Sequence, residues 1–390
     1  KALNNLGVAF GRLRLPRHEF ASYQRARGID ADEPEALSNL GQWYVKAGRH
    51  DRGMLRLKQA LWLVPNEAAY LNNLGTLYGK LGRQARAFAI HRQATAIDPS
   101  LPASSANLSN VYASLQQLDR AFHASYTSLS LQPQQGEVYY NLGNLFVRIG
   151  RPGLAEGAMR RAVRLRGGSA KTHAALGRIA DLLRKRDMAV AEVKRALFLD
   201  PRRERSWKRL GAWYRRGKRY RQAGAAYRKA LGIHFANSNT WDALGEMLNQ
   251  QRLADRATAA YLQSLALAPA VPSTWNALGV SYALGGHARR GVETLLRALK
   301  MRPAYEQAHS NLGTLFSEAQ RFDAALCQFK IALALNPSRL ETQFNVAGML
   351  NELQQFDRAL LWYERFKQSW RGSARLAKIA QREIARLRGR

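Results

Sequence analysis

Cysteine is nearly absent from this sequence, since Cys327 is the one cysteine among 390 residues. A single thiol excludes both a disulfide framework and a cysteine-based zinc site. The eight histidines show no metal-ligand spacing and no pairing with a nucleophile motif, and no glycine-rich phosphate loop occurs. No apolar run approaches the length of a membrane span. These absences predict a protein without metal, cofactor, small-molecule substrate, catalytic site or membrane insertion.

Acidic residues are also scarce. The chain has 28 Asp and Glu against 61 Lys and Arg, which gives a net charge of +33, and 47 of the 61 are arginine. A solvated surface that serves no charged partner would carry the two signs in similar numbers. The imbalance therefore points to a polyanionic partner.

What the sequence has in abundance is one unit, repeated every 34 residues without insertion or deletion. Within residues 68–101, apolar residues fall at helical spacing in two runs, and Gly82 separates them. This pattern predicts a helical hairpin. A lone hairpin cannot bury its apolar face, so consecutive hairpins are expected to stack. The beat of the repeat is a leucine followed by a small residue, as in Leu40-Gly41, Leu74-Gly75, Leu108-Ser109, Leu142-Gly143, Leu176-Gly177 and Leu210-Gly211.

This pattern resembles the tetratricopeptide repeat in its period, in its Leu-Gly pair and in its later alanine and proline positions. Trp207, Trp241 and Trp275 supply the family's tryptophan. The resemblance implies an all-α, right-handed superhelical solenoid of helical hairpins. Eleven repeats would cover residues 1–373, the first without its first residue, and residues 374–390 would form a basic C-terminal capping helix or tail. The first helix of each repeat would line a concave groove and the second would form the convex back.

Positions within a repeat are numbered here so that the Leu-Gly pair is 7 and 8. Residue 1 then falls at position 2 of a repeat, and the chain is expected to continue upstream. A processed N-terminal segment together with the excess of arginine favours a mitochondrial or plastid location over cytoplasm or nucleus.

Asparagine recurs at position 6 of the first five repeats, with further asparagines beside it. Such a ladder is similar to the one in the repeat arm of O-GlcNAc transferase, although no catalytic domain follows here. Its amides could hold the backbone of an extended peptide without recognising side chains. Equally, asparagine before Leu-Gly is common in this family. The candidate peptide-binding residues are Asn39, Asn73, Asn107, Asn110, Asn141 and Asn144.

Positive charge is concentrated in residues 148–229, which hold 25 Lys and Arg against six acids. Repeat seven is the centre of this stretch. Arginine forks bind phosphate bidentately, and counterion release adds affinity for a polyanion. Basic pairs such as Arg160 with Arg161 lie on the convex side, where a solvated face is the plainer interpretation. The candidate RNA-binding or anion-binding residues are Arg148, Arg178, Arg205, Lys208, Arg209, Arg215 and Arg216.

Two functions follow from these patterns. The leading hypothesis is a non-enzymatic scaffold subunit whose basic concave groove binds an RNA phosphate backbone within a ribonucleoprotein, such as an organellar ribosome or an RNA-processing complex. Its ends would bind other protein subunits. The alternative is a protein-protein interaction adaptor that holds extended or acidic peptides through the asparagine ladder and the basic groove.

Overall fold

The structure is a computed structural model that describes residues 1–13, 15–165, 168–370 and 374–389. Those residues form 23 helices and no strand, so the all-α prediction is confirmed. The expected boundary between repeats and tail, at residues 371–373, lies outside the described residues. No helix in the described ranges combines the length and the apolar character that crossing a bilayer requires. The helices divide into two units, residues 1–199 and residues 200–390.

The first unit is a stack of six hairpins. Its helices are α1 (Ala2–Arg12), α2 (Pro16–Ile29), α3 (Pro34–Lys46), α4 (His50–Leu63), α5 (Ala68–Lys80), α6 (Gln84–Ile97), α7 (Pro102–Ser114), α8 (Leu118–Leu131), α9 (Gly136–Arg148), α10 (Pro152–Leu165), α11 (Ala170–Leu182) and α12 (Arg186–Leu199).

The second unit contains five hairpins and one further helix. Its helices are α13 (Glu204–Arg216), α14 (Tyr220–Ile233), α15 (Ser238–Gln250), α16 (Ala254–Leu267), α17 (Pro272–Leu284), α18 (Ala288–Met301), α19 (Glu306–Glu318), α20 (Phe322–Leu335), α21 (Leu340–Glu352), α22 (Phe356–Ser369) and α23 (Ala374–Arg388).

The helices follow the 34-residue period closely. From α3 to α22, each first helix covers positions 1–13 and each second helix covers positions 17–30. The turn between them places position 15 in the left-handed backbone region, where glycine carries no Cβ penalty. Glycine fills that position in four hairpins, while six others use a larger residue there at a conformational cost. The six are Gln116, Arg184, Lys218, Arg252, Gln320 and Gln354.

Small residues at position 8 allow the two helices of a hairpin to pack closely. A Cβ at Gly41 would lie 2.8 Å from Leu57 Cγ, and one at Gly143 would lie 2.9 Å from Met159 Cε. Both distances are far shorter than ordinary van der Waals contact. Position 8 therefore sets how near the helices approach, and position 24 supplies the side chain that fills the interface.

The helix α23 packs against α22 at the end of the second unit. Ala380, Ile384 and Leu387 are buried there, in a cluster that includes Tyr363 and Phe366 of α22. The apolar face of α23 thus covers the last hairpin, Arg375, Arg382 and Arg386 are exposed, and Arg388 donates to Glu364 of α22.

Candidate functional site

The basic candidates of the second unit lie on α13, whose first turn contains Glu204. Lys208 Nζ lies 3.4 Å from Glu204 Oε1. Arg215 donates from Nη1 to Glu246 Oε2 at 2.6 Å, and this hydrogen bond raises the pKa of the Arg215 guanidinium. Arg209 and Arg216 also have interaction partners. Neighbouring acids therefore neutralise part of the charge on this helix, but they are too few to balance it.

The turn after α13 extends the same positive surface. Arg215, Arg216, Lys218, Arg219 and Arg221 are all exposed, and Lys218 lies in the left-handed region with a φ of 56°. Residues 204–221 thus carry eight Lys and Arg against one acid, Glu204. We call residues 204–221 the repeat-seven basic segment. Lys218 and Arg219 of the turn and Arg221 at the start of α14 were missed as site residues, although they directly follow the basic run in sequence.

Arg148 and Arg178 belong to the first unit, where each links one first helix to the preceding one. Arg148 donates to the Ala113 carbonyl at 2.7 Å and to Gln116 Oε1 at 2.5 Å. Arg178 donates from Nη2 to Asn144 Oδ1 at 2.7 Å. These two arginines therefore donate some of their N–H groups to neighbouring repeats. Only their remaining N–H groups could bind an anion.

The asparagine ladder forms hydrogen bonds between repeats. The position-6 amide donates to the residue at position 5 of the preceding repeat, 35 residues earlier. Asn39 donates to Asn4 Oδ1 at 2.9 Å, and Asn107 donates to Asn72 Oδ1 at 2.9 Å. Asn73 follows the same geometry, with Ser38 Oγ as its acceptor at 3.1 Å. In these repeats the amide nitrogen thus donates a hydrogen bond to the first helix of the preceding repeat.

Three ladder residues lie outside this pattern. Asn144 donates to the Tyr140 carbonyl within α9 at 3.2 Å while its oxygen accepts from Arg178. Asn110 is exposed and Asn141 is half-buried. Neither has a hydrogen-bond partner among the described residues, so these two amides are the ones available to a ligand.

A second recurring contact, at position 4, was not predicted from the sequence, where the tryptophans served only as part of the family pattern. Trp241 Nε1 donates to the Phe235 carbonyl at 2.9 Å, six residues earlier. Trp207 and Trp275 make the same bond to proline carbonyls at 2.9 and 2.8 Å. His309 and Gln343 repeat it at 2.9 Å. Position 4 thus fastens each first helix to the loop before it, and the shared spacing of donor side chains was the available signal.

Two adjoining cavities lie along the first helices of repeats eight to ten, with volumes of about 750 and 170 Å³. Both are lined by Val280 and Leu284 of α17. The larger also reaches Glu246 and Arg252, and the smaller reaches Glu318. These cavities were not predicted from the sequence.

His91 is a buried imidazole of the first unit that packs directly against Gly75. It is 2% exposed, and its Nδ1 atom has no hydrogen-bond partner among the described residues. Burial disfavours the charged form and lowers its pKa from 6.5 to about 4. The side chain is therefore a neutral packing residue at physiological pH.

Comparison with known proteins agrees with the repeat assignment. Two sequence models described as tetratricopeptide repeat match residues 310–374 and 68–97. The predicted resemblance to the tetratricopeptide repeat is thereby confirmed, while the predicted number of repeats and the likeness to the repeat arm of O-GlcNAc transferase remain predictions. No curated protein matches the chain.

Several solved structures are similar over most of their length. Yeast Tom70 is 15% identical with a TM-score of 0.43, and the alignment covers 99% of this chain and 96% of that one. Cut9, in an APC/C hetero-tetramer with Hcn1, is 14% identical with a TM-score of 0.48 and the same coverages. The C-terminal part of a repeat protein from Cytophaga hutchinsonii is 11% identical with a TM-score of 0.53, over 62% of this chain and 99% of that one. This last likeness concerns the fold alone.

Proposed function

Because the chain is a tetratricopeptide-repeat protein, we propose that it is a non-enzymatic scaffold subunit of a large assembly whose repeat-seven basic segment binds an RNA phosphate backbone. The assembly would be a ribonucleoprotein, such as a mitochondrial or other organellar ribosome or an RNA-processing complex. Other subunits would bind elsewhere on the repeats, as the interaction surfaces of stacked hairpins allow.

The observation that carries this proposal is the charge of residues 204–221. Residues 204–221 contain eight cations and one acid, and five of these cations are exposed at the end of α13, in the turn after it and at the start of α14. Like charges on one helix and its turn repel one another, and an anionic ligand removes that repulsion. A phosphate backbone offers regularly spaced charges and acceptor oxygens for arginine forks.

The existing ion pairs are compatible with such a ligand. Arg215 and Lys208 are held by Glu246 and Glu204, and both cations are at least one-third exposed. Exposed pairs of this kind contribute little stability, so phosphates can replace the carboxylates at small cost. Contacts to phosphate carry no base information, and RNA binding is therefore expected to be independent of sequence.

The test is binding of a fluorescently labelled structured RNA to the full chain and to a variant in which Arg205, Lys208, Arg209, Arg215 and Arg216 are changed to Gln. The matched control changes five convex-side cations, Arg161, Arg164, Lys194, Arg195 and Arg228, to Gln, which lowers the net charge equally. We expect about a hundredfold weaker binding for the first variant and a few-fold loss for the control. Equal losses in both variants would show that only net charge matters, and no loss in either would remove RNA from this surface.

An adaptor for acidic or extended peptides is the second candidate, favoured by the amides of Asn110 and Asn141, which lack partners in the described part of the chain. A short Asp- and Glu-rich peptide serves as the probe. The adaptor function is supported instead if the peptide displaces RNA at moderate salt, and if changing Asn110 and Asn141 to Ala weakens peptide binding while leaving RNA binding intact.

A further inference from the structure

The two cavities of repeats eight to ten form one continuous strip across three neighbouring first helices. Residues of α15 and α17 line the larger cavity, and residues of α17 and α19 line the smaller. Val280 and Leu284 are common to both, so α17 lies in the middle. We call this strip the repeat-nine groove. Packed helices lie about 8–10 Å apart, so the strip spans roughly 16–20 Å, the length of about five to six extended residues.

The centre of the repeat-nine groove is apolar. Leu284 is 58% exposed, although it ends a helix whose neighbours bury most of their leucines. Ala277 and Val280 continue the apolar surface from Leu284 along α17. The other first helices of this unit place charged or amide side chains at position 13, namely Arg216, Gln250, Glu318 and Glu352. An aliphatic ligand side chain seated on Leu284 would remove this apolar area from water.

Amide side chains with fixed orientation border this apolar strip. Asn276 Oδ1 accepts a hydrogen bond from Asn311 Nδ2 at 2.9 Å, which leaves the Asn276 amide protons for other acceptors. Asn249 Oδ1 accepts from Ser281 Oγ at 3.1 Å. Amide groups held in this way can donate to the carbonyls of an extended backbone, which always presents them at regular spacing.

The charges at the edge of the groove select the sign of the ligand. Glu318 is exposed and has no ion-pair partner among the described residues. Glu246 is already paired with Arg215, and Arg252 lines the larger cavity only. The smaller cavity therefore has an unbalanced carboxylate, which attracts a Lys or Arg and repels phosphate or acidic residues.

From these features we infer that the repeat-nine groove binds an extended protein segment of about six residues that carries an aliphatic side chain roughly three residues from a Lys or Arg. The aliphatic side chain packs on Leu284 and Val280, the backbone bonds to Asn276, and the cation pairs with Glu318. The site is separate in sequence from the repeat-seven basic segment and opposite in its charge preference. It does not depend on RNA binding at that segment.

The probe is a random heptapeptide library displayed on phage and selected on the immobilised full chain. We expect enrichment of sequences that contain Leu, Ile or Met about three residues from Lys or Arg. The enriched sequence with the most copies is then synthesised with a fluorophore and titrated against the variants. If no sequence is enriched, or the enriched ones are acidic or lack the aliphatic residue, the inference is wrong.

Two substitutions locate the site, and each has a control at the same repeat position. Leu284→Gln is expected to weaken binding of the selected peptide about tenfold or more, because the aliphatic contact is lost. Leu182→Gln is its control, since Leu182 is 55% exposed at position 13 of another repeat. Glu318→Gln is expected to weaken the peptide about threefold to tenfold and to reduce its salt dependence, with Glu352→Gln unchanged.

Both target side chains are exposed, so the variants are expected to fold, and circular dichroism verifies it. Glu318→Gln serves as the independent arm if Leu284→Gln alters the helix content. Peptide binding that survives both substitutions would place the selected peptide elsewhere and would contradict the inference. RNA binding by the two variants should remain at the wild-type level.

Discussion

The side chain at position 24 of each repeat fills the space left by the small residue at position 8. Leu57 and Met159 fill it with apolar atoms, whereas His91 fills it with an imidazole that packs on Gly75. Because the imidazole is buried and its Nδ1 has no partner among the described residues, only its neutral form fits the interior. One repeat of the first unit thus has a titratable group in its core.

The His91 side chain makes stability depend on pH. Its pKa is about 4 in the folded chain against 6.5 for a free imidazole, so the unfolded chain takes up the proton first. The contribution of His91 to stability is constant above pH 6.5 and is lost as the pH drops from 6.5 towards 4, by up to about 3 kcal/mol. Urea unfolding followed by circular dichroism at pH 7.5 and at pH 4.5 measures this difference.

The matched variants are His91→Met, which copies Met159 at the same repeat position, and His123→Gln, which alters an exposed histidine. We expect His91→Met to remove most of the loss in this pH range and His123→Gln to retain it. If His91→Met is as sensitive to acid as the wild type, burial of His91 is not the cause.

Position 15 is the other place where one residue sets local stability. Gln320 has a φ of 56°, a conformation that costs a non-glycine residue about 1 kcal/mol or more. Gln320→Gly is expected to raise the free energy of unfolding by about 1 kcal/mol. Gln320→Ala removes the side chain but keeps the Cβ, so it should have almost no effect. Equal stabilities of the glycine and alanine variants, measured by urea unfolding, would refute the backbone explanation.

The asparagine ladder illustrates how one element is fixed to the next. Asn107 of α7 donates to Asn72 Oδ1 at 2.9 Å and lies 3.2 Å from Thr76 Oγ1, both on α5. These bonds connect two first helices directly. Asn311 and Asn276 repeat the arrangement between α19 and α17.

Asn107→Ala is expected to lower the free energy of unfolding by about 1–2 kcal/mol, because the partly buried Asn72 and Thr76 lose their donor. Asn345 provides the control, since it occupies position 6 of a repeat without a hydrogen-bond partner in the described ranges. Asn345→Ala should cost much less. Thermal unfolding of the two variants distinguishes them, and similar shifts would mean that the ladder bonds contribute nothing.

The position-4 hydrogen bonds likewise fix one element to another, because each joins a first helix to the loop before it. Tryptophan, histidine and glutamine share no packing shape, yet Trp275, His309 and Gln343 each donate to a carbonyl six residues earlier. Donation from His309 Nε2 to Pro303 requires that nitrogen to carry the proton. The role of the position is therefore a hydrogen bond as well as packing, and an alignment by hydrophobicity alone conceals it.

At the scale of the whole molecule, the sequence predicted the helices well because the repeat has a strict period. Position 15 is the turn residue of each hairpin from α3 to α22, and it is glycine in four of them. Proline recurs near the end of the second helix, and the apolar positions between them have helical spacing. Each helix is therefore defined by its own residues and by the copies around it. The observed bounds, such as Ala68–Lys80 and Gln84–Ile97, follow the expected unit.

The candidate site was less predictable, because side-chain partners depend on how one repeat faces the next. Asn39 donates a hydrogen bond to Asn4, 35 residues earlier, and Arg178 donates one to Asn144, 34 residues earlier. The same amide and guanidinium groups could equally have faced a ligand. Charge composition identified the repeat-seven region. It did not reveal the exposed turn residues Lys218 and Arg219 as part of the same surface, nor the apolar groove at Leu284.

If the repeat-seven basic segment binds phosphates, RNA binding must weaken steeply as the salt concentration rises. We would measure the RNA dissociation constant between 50 and 300 mM KCl for wild type, the fivefold repeat-seven variant and the convex control. Each phosphate contact contributes about 0.7 to 0.9 to the log–log slope, so the variant slope should be shallower by about 3 or more, with the control near wild type. Parallel slopes for all three proteins would contradict the claim, because the five substituted cations of α13 would then make no phosphate contacts.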